Sequence, residues 1–97
     1  MLALEYKTPM QILLDIGDRA KSARLRANLS RKTLSERSGV TQASIKRFET
    51  TGQISLVNLI QILIALDRIT DLDGLLEEQA VPFIRELGDR KRLRGRG

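Results

Sequence analysis

The chain has 97 residues, enough for one domain with a modest core and too few for two. It contains neither cysteine nor histidine, which excludes disulfides, thiolate metal sites and imidazole catalysis, and three aromatics are too few for a single-strand stacking platform. The formal net charge is +5, and an enzyme of this composition would have to work with carboxylates, lysines and hydroxyls alone.

The opening MLALEYKTPM lacks the basic n-region and long apolar run of a signal peptide. The longest apolar-rich stretch, 54–66, is interrupted by Ser55, Asn58 and Gln61 and is too short to cross a bilayer, so a cytoplasmic protein without membrane contact is expected. Helical periodicity runs through the chain, and no strictly alternating β-branched run occurs. The first helix is expected to start with Thr8 as N-cap and Pro9 at its first position. Leu13, Ile16, Ala20, Ala23 and Ala27 recur at three and four and predict its buried stripe, with Gly17 as a point where the helix bends or breaks. A second helix is predicted over about 31–37, with Ser30 as its cap and Gly39 supplying a left-handed exit.

Thr41 caps a third helix from Gln42 to about Glu49, which TTGQ ends. Ser55 caps a fourth, LVNLIQILIAL, whose apolar surface is wider than one core-facing stripe. That helix is either almost entirely buried or pressed in part against a second subunit. A short fifth helix, DLDGLLEE, is predicted with Asp71 as cap and an acidic outer face. Its acids alternate with Leu72, Leu75 and Leu76 and read as solvated groups, not as a cation site. VPFIREL adds a turn or two, and DRKRLRGRG is expected to be disordered alone, a solubilising end, a phosphate arm or a segment that folds on an acidic partner. The predicted fold is therefore all-α, with a domain over residues 8–79 and a short helix or turn and basic tail over 80–97.

Charge is concentrated in sections. Residues 19–47 carry nine cations against Glu36 alone, residues 67–78 carry five anions against Arg68, and 85–97 carry six cations against Glu86 and Asp89. Concentrated like charge opposes folding unless a polyanion relieves it, and the basic section coincides with two short helices flanking a glycine turn. In that arrangement Leu34, Val40, Ile45 and Phe48 face inward, and Ser35 and Ser38 lie where the helices come closest. Gln42, Ala43, Ser44, Lys46 and Arg47 are left outside. Their chemistry suits the DNA major groove, where Gln pairs with an adenine edge, a methyl touches thymine, and Arg forks onto guanine or holds a phosphate. Enzyme motifs are lacking: no nucleophile–base set or phosphate-loop glycine spacing is present.

The segment LRANLSRKTLSERSGVTQASIKRFETTGQISLVNLIQILIAL, with Arg24, Leu34, Gly39, Val40, Ile45, Phe48 and Glu49 in register, resembles the DNA-binding domain of the phage Cro/C1 repressors and the wider XRE family. The resemblance implies a five-helix lambda-repressor-like fold and a homodimer that represses transcription from a palindromic double-stranded operator. It implies base reading by Gln42, Ala43, Lys46 and Arg47, and phosphate contacts from Ser30, Arg31, Lys32, Thr41 and Ser44. Many members carry Gln where this chain has Arg31, and a cation there favours phosphate. Arg24 and Glu49 match a structural ion pair. No cofactor, metal or catalytic residue is implied. The first helix preceded by TPMQI, the acidic fifth helix and the basic tail further resemble HipB-type antitoxins, which bind a kinase-like HipA toxin and repress their shared operon. The alternatives are a stand-alone phage-type repressor, a restriction controller, or a protein-interaction module.

Overall fold

A computed structural model describes residues 7–78, which form four α-helices and one 3₁₀ turn, with no strand among them. The helices are α1 (Pro9–Arg26), α2 (Arg31–Ser38), α3 (Gln42–Thr51) and α4 (Leu56–Ala65), and the 3₁₀ turn is Ile69–Leu72. Every α-helix starts in the same way. The hydroxyls of Thr8, Ser30, Thr41 and Ser55 accept hydrogen bonds from the amides of Gln11, Thr33, Ser44 and Asn58 at 3.0–3.2 Å. Each cap satisfies an amide that the helix itself leaves unpaired and contributes about 1 kcal/mol. At Thr8 the Gln11 side chain also accepts from the Thr8 amide, closing a reciprocal box.

α1 runs unbroken through Gly17, contrary to the expected bend. The glycine is buried where α1 crosses the C-terminal end of α3, and a Cβ there would lie 2.3 Å from the Phe48 carbonyl oxygen. Its role is close approach. The predicted stripe is also corrected. Ile16 and Ala27 are exposed, and the inner face runs through Leu13, Gly17, Ala20 and Arg24, of which only Gly17 and Arg24 are fully buried. A stripe marked by a glycine and an arginine carries no apolar periodicity, so it cannot be seen as a hydrophobic pattern.

The core consists of Leu29, Leu34, Val40, Ile45, Phe48 and Ile62, with Ala20, Ile54, Leu59, Ala65 and Leu66 packed against it. Leu34, Ile45, Phe48 and Ile62 retain about 1% of their exposure, which corresponds to roughly 1.5–3 kcal/mol of burial each. α2 and α3 are joined by a turn in which Gly39 takes φ +78° and donates its amide to Ser35, while the Ser38 hydroxyl accepts from the Val40 amide. The nearest atom to a Cβ at Gly39 would be Gln61 Oε1 at 4.0 Å. Only backbone strain therefore opposes a side chain, and Gly39→Ala is expected to lose about 1–2 kcal/mol in denaturant unfolding. A loss well above that range would mean that the turn is packed more tightly than this geometry allows.

α3 continues to Thr51 and ends at Gly52, φ +80°, whose amide donates to the Phe48 carbonyl. α4 follows at a bend of 101°. It is not almost entirely buried: Ile62 alone is fully enclosed, and Leu56, Val57 and Ile64 are about 60% exposed. The predicted fifth helix is replaced, among the described residues, by the 3₁₀ turn and further i→i+3 turns. Asp71 lies inside that turn and pairs with Arg68 at 3.0 Å; it caps nothing. Leu75 and Leu76 face solvent, so no apolar stripe holds a helix there. The predicted VPFIREL turns and the DRKRLRGRG segment lie outside the described residues.

Candidate nucleic-acid interface

α3 separates its residues by helical geometry. Ile45, Phe48 and Glu49 form the buried side. Gln42, Ala43, Lys46 and Arg47 stand at i, i+1, i+4 and i+5, share the opposite face and are all exposed. That face combines an amide, a methyl and two cations on a short helix held from behind by two core residues. Arg47 donates to the side-chain amide oxygen of Gln53, which reaches back across the left-handed Gly52. Ser44, Arg47, Gln53, Ser55 and Asn58 line a polar cleft of about 260 Å³ beside this face, together with Ile54.

The residues read as phosphate contacts are distributed around the two helix starts. Ser30 and Thr41 are exposed, but their hydroxyls are engaged as N-caps. The Thr41 hydroxyl also donates to the Ser44 hydroxyl at 2.9 Å, and Ser44 is half-buried. Lys32 is exposed, and Arg31 is half-buried.

Behind the α2 and α3 surface lies an arginine–glutamate–arginine cluster. Arg24 of α1 donates Nε to Glu49 Oε2 at 2.7 Å and Nη2 to Oε1 at 3.1 Å, and its Nη1 donates to the Leu29 carbonyl at 2.9 Å. Arg31 adds a bond from Nε to Glu49 Oε1 at 2.9 Å. Burial pushes the Glu49 carboxyl up, but the hydrogen bonds and charges of Arg24 and Arg31 outweigh it and hold the group below the ordinary glutamate range. The cluster joins α1, α2 and α3 at one buried point, so it fixes the placement of the exposed α3 face. Two contacts, Arg31 with Glu49 in this cluster and Gln53 with Arg47 on the outer side of α3, escape sequence reasoning. The sequence gives Arg31 a phosphate role alone and Gln53 no role. Neither contact has a local signature, since one spans 18 residues and the other crosses a turn.

A family model described as helix-turn-helix matches residues 21–72, more than half of the chain. The chain belongs to the XRE-type helix-turn-helix family. No curated protein matches its sequence. The matched span runs from the second half of α1 to the end of the 3₁₀ turn and contains the whole α2–turn–α3 unit. XRE-type helix-turn-helix domains are DNA-binding regulatory domains rather than enzymes, so the partner of this chain is double-stranded DNA and its role is regulation of transcription. No single helix among the described residues is long and apolar enough to cross a membrane.

Proposed function

We propose that the protein is a sequence-specific repressor that binds a two-fold-related duplex site as a dimer, each copy laying α3 in the major groove. The observation that carries this reading is the division of α3 into a buried Ile45–Phe48–Glu49 side and an exposed Gln42–Ala43–Lys46–Arg47 side. An α-helix fits the major groove, and these groups match base-edge donors, acceptors and the thymine methyl. Ser30, Arg31, Lys32, Thr41 and Ser44 then hold the backbone on either side and set the register. Dimerisation is supported by Leu56, Val57 and Ile64, which leave an apolar surface on α4 that a monomer gains nothing by exposing. Two copies would read half-sites one helical turn apart, roughly 34–36 Å. Occupying a promoter is sufficient for repression, and the first site to test is the protein's own. A HipA-type toxin partner draws on the resemblance of the sequence, and a kinase-like reading frame beside this gene is its requirement.

The test is selection of bound fragments from the source genome at two salt concentrations, followed by footprinting. A protected, two-fold-related site upstream of the gene supports autorepression; binding that disappears with salt and protects no particular site favours a protein-interaction role. On a selected site Arg47→Ala is expected to lose about 1–3 kcal/mol of binding, with a much smaller loss on random DNA. Equal losses on both would make Arg47 a phosphate contact only.

A further inference from the structure

The Glu49 carboxylate is held by two guanidinium groups, and one is enough to neutralise it. Arg24 supplies the two-bond fork and uses its remaining amino group on the Leu29 carbonyl, so it is fully engaged inside the fold. Arg31 differs. Its side chain is 31% exposed, against 6% for Arg24 and 2% for Glu49, and only its Nε is bonded among the described residues. Its two terminal amino groups carry no protein partner there. The three side chains sum to one positive charge, and the surplus lies at the exposed end of the cluster, on the first residue of α2.

We propose that Glu49 is a positioning residue for DNA binding and acts through Arg31, gripping its Nε from behind so that its outward N–H groups engage one backbone phosphate. The inference rests on the DNA-binding reading above. A free arginine loses its rotamer freedom when it binds; Arg31 has already lost part of it in the folded protein. The carboxylate does not repel the phosphate appreciably, because Arg24 neutralises it and the fold encloses it. Glu49 thus links the ion pair that holds α1 to α3 with a contact made by α2.

The experiment is a salt series of binding by the full chain to a mixed-sequence duplex of about 24 base pairs, since a phosphate contact is independent of sequence. Arg31→Gln is compared in the native background and in an Arg24→Met/Glu49→Met background. The paired replacement removes Glu49 without leaving a buried charge unpaired. In the native background Arg31→Gln is expected to weaken binding roughly tenfold and to reduce the salt slope by about 0.9. In the Met/Met background it is expected to change affinity by no more than about twofold. Equal losses in both backgrounds, or none in either, overturn the proposal. Arg31→Lys tests it with the buried pair intact. Lysine keeps the charge but has no fork to be held at one nitrogen while reaching out with the others, so most of the tenfold loss is expected, and full binding by Arg31→Lys overturns the proposal. A native chain that binds no duplex at any salt defeats the DNA-binding reading itself, which the native binding curve reveals by itself.

Discussion

Glu49→Ala is expected to destabilise the fold by about 3–5 kcal/mol, because it leaves the Arg24 guanidinium buried with no anion. For a domain of this size that is a fall of at least about 12 °C in the thermal midpoint. The Coulombic gain of the pair is largely offset by the cost of desolvating it; the penalty comes from the orphaned charge. Arg24→Met/Glu49→Met removes both ions and is therefore expected to melt close to the native protein or above it. A single variant that melts within a few degrees of native, or a double variant that melts as low as the single, would contradict this account. The pH dependence has a defined sign. The folded state holds the Glu49 carboxyl below its ordinary range, so the unfolded chain binds its proton more readily. The resulting stabilisation is complete above the ordinary glutamate pKa, roughly 4.3, and is lost as pH falls through the lower folded value. Asp15, held low by its hydrogen bond from Lys7, titrates in the same direction. The Met/Met variant should consequently lose less stability than the native protein between pH 5 and pH 2, about the window in which carboxylates take up protons.

The α1–α3 crossing gives the second large effect. In an isolated helix, alanine at position 17 would gain about 1 kcal/mol over glycine. Here the added Cβ would lie 2.3 Å from the Phe48 carbonyl oxygen and 3.2 Å from that of Glu49, and backbone atoms cannot rotate away as a side chain can. The clash is expected to win, with a net loss of about 2–4 kcal/mol for Gly17→Ala. Gly52→Ala meets the Leu13 carbonyl oxygen at 2.2 Å and also sits at φ +80°, so its loss should be the larger by about 1–2 kcal/mol. Denaturant unfolding of the three alanine variants should rank Gly52 above Gly17 and Gly17 above Gly39. A stabilising Gly17→Ala would show that the two helices are not in close contact in solution.

Local chemistry was legible without any coordinates. Thr8, Ser30, Thr41 and Ser55 mark the helix starts because their hydroxyls bond to amides three residues away, and Gly39 marks the turn because few other residues tolerate its φ. The inward side of α3 was legible for a similar reason: Ile45 and Phe48 are large apolar residues at helical spacing. The fifth helix is absent among the described residues because Leu75 and Leu76 of DLDGLLEE face solvent, leaving Leu72 alone half-buried, and a short helix without a packed stripe does not hold.

Groups only a few residues apart set where the helices begin, where they turn, and which face of α3 is left exposed, so these features are written along the chain. Tertiary structure alone decided that Gly17 is a crossing point, that Arg31 shares Glu49 with Arg24, and that Gln53 holds Arg47. The crossing and the shared carboxylate depend on helices meeting in space, the Arg47–Gln53 contact on the direction the chain takes beyond Gly52. A close approach or a shared carboxylate leaves no hydrophobic period along the chain.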